Sequence, residues 1–185
     1  MNLKKFNTEQ LVQLCLSGNQ SAQLEIYNRY YKAMYNASFR IVKDSYEAED
    51  VMQDSFLLAF TKLKELKDLK IFGPWLKRIV INKSIHHYKK RTKHKEIGLD
   101  DVLYKIEDNN VETYEDYDFI HVKAKEVLNT MNTLKDNYKL ALTLNLIEGY
   151  DYEEISDIMN ISNANCRTTI SRAKEALRRK LQIFA

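Results

Sequence analysis

The stretch that decides the fold is residues 149–181, GYDYEEISDIMNISNANCRTTISRAKEALRRKL. Asp151 can cap a first helix, and Glu154 three positions later can complete a capping box by reaching back to the cap. Gly149 suits the left-handed position that closes the preceding helix. Asn160 suits the positive φ of a short turn, which Asn tolerates better than most residues. The spacing therefore predicts two helices joined by a tight turn.

The second of these helices begins after Ser162, which can cap it, and it has one apolar and one basic side. Its apolar positions recur at three- and four-residue steps, as in a buried helical stripe: Cys166, Ile170, Ala173, Leu177 and Leu181. The remaining faces carry polar and basic residues: Arg167, Thr168, Ser171, Arg172, Lys174, Arg178 and Arg179. This arrangement favours a helix-turn-helix whose second helix enters a DNA major groove. A solvated basic face is the alternative interpretation of this segment alone.

Composition favours helices along the whole chain. The 185 residues include only four glycines and one proline, whereas sheet folds need such residues at frequent turns. No run of 18 apolar residues and no apolar signal core occurs, so we expect a cytoplasmic protein without membrane insertion. Cys15 and Cys166 lie far apart and lack a CxxC neighbour, which favours reduced core thiols over a disulfide or a metal site.

Charge is segregated along the chain, although the net charge is only +3. Residues 77–95 hold eight Lys or Arg, no acidic residue and three of the four histidines. Residues 96–118 hold nine acidic residues against Lys105 alone, and residues 167–180 hold six basic residues against Glu175. Two basic modules separated by an acidic connector indicate an extended anionic partner that is contacted twice.

The spacing of apolar residues predicts helices, and Gly, Pro and Ser residues mark where these helices end. Together they predict an all-α fold of two small helical domains joined by an acidic linker. The expected parts are an N-terminal helical domain (1–95), the linker (96–116) and a C-terminal helix-turn-helix domain (117–185). Helices are expected over 8–16, 22–42, 45–66, 75–91, 117–133 and 136–147, followed by the helix-turn-helix.

A second polar pattern lies in residues 44–60, DSYEAEDVMQDSFLLAF. On a helix, four of its polar residues occupy adjoining strips, and we call them the acidic ridge: Glu49, Asp50, Gln53 and Asp54. Phe56, Leu57 and Phe60 are expected to turn largely elsewhere. An acidic ridge would repel phosphate, so it suits a basic protein surface better than DNA. A solvated acidic face is the alternative.

A third pattern, residues 72–85, FGPWLKRIVINKSI, interleaves basic, aromatic and amide residues beside a glycine-containing loop. Cations hold phosphates, whereas aromatic and amide groups hold an unstacked base, so the pattern suits DNA strand separation. For Trp75 itself, a place in the core of an amphipathic helix is the preferred interpretation.

Taken in order, these segments resemble the sigma-70 family of bacterial transcription initiation factors, in its small extracytoplasmic-function (ECF) type. AEDVMQDSF (48–56) looks like the polymerase-binding helix of the family, and WLKRIVINKSI (75–85) like its minus-10 promoter helix. The stretch 149–181 is similar to the minus-35 recognition module. No single motif is decisive, but three in the correct order and spacing are specific together.

The resemblance implies a factor, not an enzyme, that binds core RNA polymerase and promoter DNA and needs no cofactor or metal. Binding to the clamp helices of the largest polymerase subunit would involve Glu49, Asp50, Gln53, Asp54 and Phe56. Contact with minus-10 DNA would involve Phe72, Arg78, Asn82, Lys83, His86 and His87, and the 64–73 loop, including Phe72, would help hold a flipped base of the non-template strand. Minus-35 contact would involve Arg167, Thr168, Ser171, Arg172, Arg178 and Arg179, with Arg suited to guanine O6 and N7.

The resemblance also implies that the acidic linker threads the basic channel of the polymerase, and that an anti-sigma protein is a further candidate partner. This chain departs from the family pattern at residues 163–165, NAN, where a Gly-Thr pattern is commoner, and at His86, where Asp is frequent. The base sequence read at minus-35 and the charge presented to the minus-10 strand are therefore open.

Three other function classes compete with this interpretation. A helix-turn-helix repressor or activator would bind DNA without polymerase, but it would leave the acidic ridge and the linker without a role. An enzyme would need convergent nucleophile, base and orienting groups, and the sequence offers no such constellation. A helical adaptor would not explain two separated basic surfaces.

Overall fold

The computed structural model describes residues 3–95 and 118–183. The chain divides into two compact units, Met1–Ile97 and Gly98–Ala185. Within the described residues every regular element is helical, which confirms the all-α prediction. The predicted acidic linker, 96–116, lies outside the described residues.

The described part of unit 1 contains four α-helices. They are α1 (Thr8–Leu16), α2 (Gln20–Val42), α3 (Ser45–Thr61) and α4 (Phe72–Lys95), and α2, α3 and α4 all pack against one another. Side chains cap the first three helices: Asn7 forms a capping box with Gln10, Asn19 accepts from the backbone of Ala22, and Asp44 accepts from that of Glu47. These bonds satisfy backbone N–H groups that have no partner within the helix.

The core of unit 1 consists of apolar residues from all four helices. Its fully buried members include Leu11, Val12, Ile26, Phe72, Leu76 and Val80. Helix α4 contributes Phe72, Leu76 and Val80 to this core, whereas Arg78, Lys89 and Lys90 of the same helix are exposed. The amphipathic packing thus decides which of the predicted functional residues reach solvent.

The boundaries of α3 and α4 differ from the predicted ones. Helix α3 ends at Thr61 instead of 66, and short 3₁₀ turns at Leu63–Glu65 and Leu69–Ile71 follow it. Helix α4 begins at Phe72, three residues before the predicted start. Pro74 therefore lies in its first turn, where the missing N–H costs no hydrogen bond. Gly73 allows close approach of α2, because a Cβ atom there would lie 3.1 Å from Cε1 of Tyr30.

Unit 2 contains α5 (Asp118–Asn132), α6 (Asp136–Leu142), α7 (Tyr152–Met159) and α8 (Asn163–Ile183). Helix α8 packs against the other three, and the cluster around it includes Met131, Leu134, Leu142, Ala173 and Leu177. Helix α6 is shorter than predicted, because the chain widens into a π-helical turn at Thr143–Ile147. Gly149, with φ +79°, then ends this segment in the left-handed conformation expected for it.

Candidate nucleic-acid and protein interfaces

Helices α7 and α8 have the local geometry that the sequence predicts for a helix-turn-helix. Asp151 Oδ1 accepts a hydrogen bond from the Glu154 backbone N–H at 2.8 Å, and Glu154 Oε2 accepts one from Asp151 N–H at 3.1 Å. Asn160 adopts the left-handed conformation with φ 55°. Ser162 Oγ accepts from the N–H of Asn165 at 3.2 Å and so caps α8. These local predictions are confirmed.

Helix α8 buries one side and exposes the other. Cys166, Ile170, Ala173 and Leu177 are buried, and Leu181 is half-buried, which confirms the predicted stripe. All six residues predicted to meet minus-35 DNA are exposed: Arg167, Thr168, Ser171, Arg172, Arg178 and Arg179. The exposed side can therefore approach a groove while the buried side anchors the helix to unit 2.

Two of the exposed arginines of α8 have intramolecular partners. Arg167 Nε donates to Asn163 Oδ1 at 3.2 Å, and its guanidinium carbon lies 5.9 Å from the ring centroid of Tyr152. Arg179 forms an ion pair with Glu175 one turn earlier. Glu175 thus offsets part of the positive charge in the C-terminal half of α8. The partners of Arg167 are the uncharged side chains of Asn163 and Tyr152.

The exposed side of α4 carries the residues predicted to meet minus-10 DNA. Arg78, Asn82 and His86 are exposed, and Lys83 and His87 are half-buried. A groove of about 440 Å³ runs between α3 and α4, and its lining includes Asn82, Lys83, His86, His87 and Lys90. The structure thus brings four of the six predicted minus-10 residues to one groove.

Phe72 is buried, which contradicts its predicted contact with a flipped base. Its side chain is 0% exposed and packs between the ring of Tyr30, with centroids 5.5 Å apart, and that of Trp75, at 6.0 Å. A ring enclosed in the core of unit 1 has no free face on which a flipped base can stack. Trp75 is half-buried at the edge of this cluster, in line with its expected packing role.

The acidic ridge lies in solvent on α3, and all four of its residues are exposed. Gln53 Nε2 donates to Glu49 Oε1 at 3.1 Å, which keeps this pair together along the helix. Leu57, one turn further along, was expected to turn elsewhere, but it is 67% exposed and extends the ridge with an apolar side chain.

Phe56 is also buried, which contradicts its predicted contact with polymerase. It was grouped with the ridge as a polymerase-binding residue, but its side chain is 2% exposed and packs on Tyr27 at a centroid distance of 4.9 Å. Phe60, one turn further along α3, contacts the ring of Phe56 with centroids 6.2 Å apart. Phe56 therefore supports α3 from inside unit 1, and it cannot touch a partner directly.

Ion pairs connect α3 with α4, which sequence reasoning missed. Lys83 Nζ lies 3.0 Å from Asp54 Oδ2, and Arg91 Nη1 lies 2.7 Å from Glu47 Oε2. Arg91 also donates to the carbonyl of Val42 at 2.9 Å. Lys83 and Asp54 are 29 residues apart, and nothing in their spacing signals the pair. Asp54 of the predicted polymerase surface is thus paired with Lys83 of the predicted DNA surface.

A second groove, of about 600 Å³, lies between α2 and α3, and was also missed. Four tyrosines line it together with Glu49 of the acidic ridge: Tyr27, Tyr31, Tyr35 and Tyr46. Tyr46 is 82% exposed. The only sequence signal is the spacing of Tyr27, Tyr31 and Tyr35, which share one side of α2.

Both cysteines are buried free thiols, as predicted. Burial raises the pKa of Cys15 to about 11. Burial also raises the pKa of Cys166, against a smaller opposing effect of the Arg167 charge. Among the described residues no cluster of three or more His, Cys, Asp or Glu side chains could hold a metal ion. None of the described helices is long and apolar enough to span a membrane.

Comparison with known families gives two matches, one in each unit. The profile of Sigma-70 region 2 matches residues 26–94, which include the acidic ridge and the groove between α3 and α4. The profile of Sigma-70, region 4 matches residues 124–177, which include α7 and most of α8. The acidic ridge and the predicted minus-10 residues fall inside the first matched segment. Arg167, Thr168, Ser171 and Arg172 fall inside the second, whereas Arg178 and Arg179 lie just beyond its end.

Curated relatives match over nearly their whole length. The chain is 34% identical to the ECF RNA polymerase sigma factor SigM of Bacillus subtilis over 155 residues, covering 83% of this chain and 91% of SigM. It is 28% identical to the RNA polymerase sigma-H factor of Pseudomonas aeruginosa over 180 residues, covering 94% and 93% of the two chains.

Solved structures show the same fold at lower identity. CnrH, in complex with the cytosolic domain of CnrY, aligns with a TM-score of 0.57 at 21% identity, covering 96% of this chain and 99% of CnrH. The sigma factor RpoE from Bartonella quintana, in complex with the anti-sigma factor NepR, aligns with a TM-score of 0.60 at 19% identity, covering 86% and 96%.

Proposed function

The chain belongs to the sigma-70 family of transcription initiation factors, in its ECF type, and from this premise we propose which of its surfaces bind which partner. As an ECF sigma factor it binds core RNA polymerase and directs promoter recognition, DNA melting and transcription initiation. It acts as a regulatory initiation factor. The assignment of individual residues to these steps is the proposal.

The minus-35 element is read by the exposed side of α8. This is supported by one observation above all: the helix buries an apolar stripe and exposes all six predicted residues on its remaining surface. Arg167, Thr168, Ser171 and Arg172 lie in its N-terminal half, which is the part of a recognition helix that reaches base edges. Arg178 and Arg179 lie further along and act on phosphates, which position the protein without reading sequence.

The minus-10 element is bound along α4. Arg78, Asn82, Lys83, His86 and His87 form this surface, and four of them line the groove beside α3. Cationic groups there attract the phosphate backbone, and the amide of Asn82 can meet a base edge. Phe72 stabilises the position of α4 from the core and has no direct role in holding a base.

Core polymerase is bound by the acidic ridge, through the clamp helices of its largest subunit. All four ridge residues are exposed, and Leu57 adds an apolar contact at the end of the row. Complementary charge speeds encounter and sets register, whereas a desolvated apolar contact contributes affinity. Phe56 supports the ridge from below through its packing on Tyr27.

We also propose a cytoplasmic location, where polymerase acts, and an anti-sigma protein as a regulatory partner. The solved RpoE structure contains such a partner, NepR. The functional division follows the predicted parts: 1–95 for polymerase and minus-10 DNA, 96–116 as the connecting linker, and 117–185 for minus-35 DNA.

Run-off transcription with purified core polymerase on a promoter library tests the whole assignment. Transcripts should depend on this chain and carry recurrent sequence at both the minus-10 and minus-35 positions. Core polymerase without the chain is the control. Failure to form a holoenzyme at low salt, combined with tight binding of a palindrome by the chain alone, would instead favour a repressor or activator.

A further inference from the structure

The ring of Tyr152 lies beside the guanidinium of Arg167, although the two residues belong to different helices. The guanidinium carbon is 5.9 Å from the ring centroid, within the usual limit for a cation–π contact. Tyr152 is the first residue of α7 and remains 38% exposed.

Tyr152 and Arg167 each lie next to a well-anchored part of unit 2. The capping box of Asp151 and Glu154 holds the start of α7, which carries Tyr152. Cys166, the neighbour of Arg167, is 0% exposed and ties the start of α8 to the interior of unit 2. The turn between the two helices passes through the left-handed Asn160. The ring and the guanidinium therefore meet without an ordering step in a flexible loop.

A second contact orients the guanidinium further. Arg167 Nε donates to Asn163 Oδ1 at 3.2 Å. With Nε engaged on one side and the Tyr152 ring beside the cation, the two terminal nitrogens are the pair that can meet a base. Two parallel N–H donors match the O6 and N7 acceptors of guanine.

We propose that Tyr152 is a positioning residue that holds Arg167 ready to contact a guanine in the minus-35 element, with Asn163 as a second support. This rests on the proposed role of α8 in reading minus-35 DNA. An arginine that is already oriented loses less rotamer entropy on binding, so discrimination at one base position increases. Exposed cation–π contacts correspond to about a 2- to 5-fold effect on an equilibrium constant.

The test is run-off transcription by the reconstituted holoenzyme on promoters that carry each of the four bases at each minus-35 position. Tyr152→Leu and Tyr152→Phe are compared, each in the wild-type and Arg167→Ala backgrounds. Tyr152→Leu should reduce the preference for guanine by about 2- to 5-fold at the single position that Arg167→Ala also affects. Tyr152→Phe should retain the preference, and Tyr152→Leu should add nothing in the Arg167→Ala background.

An NMR measurement on the full chain tests the contact between the ring and the guanidinium directly. The Nε–H resonance of Arg167, identified by its loss in Arg167→Ala, should shift in Tyr152→Leu and stay in place in Tyr152→Phe, because only an aromatic ring produces the ring-current effect. An unchanged resonance in Tyr152→Leu would overturn the proposal.

Three transcription results would also overturn it. An equal loss in Tyr152→Phe and Tyr152→Leu would assign the effect to the hydroxyl, and a full effect in the Arg167→Ala background would make Tyr152 a direct DNA contact. Unchanged base preferences in Arg167→Ala would remove the base-reading role of Arg167 together with the positioning role of Tyr152. In that last case, promoter-dependent transcription by the wild-type holoenzyme would still support the function as a sigma factor.

Discussion

Reversing two charges of the acidic ridge should weaken binding to core polymerase and leave the fold intact. In Asp50→Lys combined with Asp54→Lys, both altered side chains are exposed. Asp54 pairs with Lys83 at 3.0 Å, but the Asp54 side chain is 67% exposed. Such a surface pair contributes less than about 1 kcal/mol to stability. Asp54→Lys replaces this attraction by a repulsion from Lys83. The repulsion is of similar size, because both side chains can turn towards water.

The effect on binding is larger, because every reversed charge removes one attraction and adds one repulsion. With about 0.2–1 kcal/mol for each interaction at an exposed site, the double reversal should cost about 1–4 kcal/mol of binding free energy. That corresponds to a dissociation constant from about 5-fold to nearly 1,000-fold weaker. Added salt should reduce the difference between wild type and variant, since screening weakens both terms.

The assay is fluorescence anisotropy of the labelled chain titrated with core polymerase at low and at higher salt, with circular dichroism as a check of folding. Glu9→Lys combined with Glu65→Lys is the matched control, because it changes the net charge equally and both residues are exposed in unit 1. The control should bind like wild type. Wild-type affinity of the ridge variant, or an equal loss in the control, would refute the docking role of the ridge.

Four further predictions test particular residues. Arg167→Ala should weaken minus-35 recognition by about 1–3 kcal/mol in promoter binding by the holoenzyme, and an equal loss on all sequences would make Arg167 a phosphate contact. Asp151→Ala removes a capping box and should destabilise unit 2 by about 0.5–2 kcal/mol in denaturant titration, whereas an unchanged midpoint would contradict this. Phe72→Ala should cost about 3–5 kcal/mol of stability; normal stability with defective promoter melting would restore the base-holding role. The pKa of Cys15 is about 11 in the folded chain against an ordinary 9.0, so its contribution to stability should be complete below pH 9.0 and decline as pH rises towards 11. Cys15→Ala should lack that component of the alkaline decline.

Local features of the helix-turn-helix were predictable from the sequence because they depend on residues close together in the chain. The bonds between Asp151 and Glu154 span three positions, and the positive φ of Asn160 is a property of one residue. The same holds for the buried stripe of α8, since helical periodicity assigns every third or fourth residue to one side. Segregated charge blocks likewise show in the sequence without any knowledge of packing.

Helix ends were less predictable where the backbone changes its hydrogen-bonding pattern. Helix α6 was expected to continue to 147, but it passes into a π-helical turn at Thr143. In that turn the N–H of Glu148 donates to the carbonyl of Thr143 five residues earlier. The apolar residues in this segment suit either pattern, so periodicity alone does not distinguish them.

The sequence by itself determined the helical fold, the helix-turn-helix and the basic and acidic surfaces, because short-range hydrogen bonds and periodic burial encode them. Only the tertiary structure decided which aromatic residues are enclosed, so that Phe56 and Phe72 belong to the core and not to an interface. It also decided which distant side chains meet, as Arg167 meets Tyr152 across two helices. Such contacts depend on how helices pack against one another, and spacing along the chain carries no record of that packing.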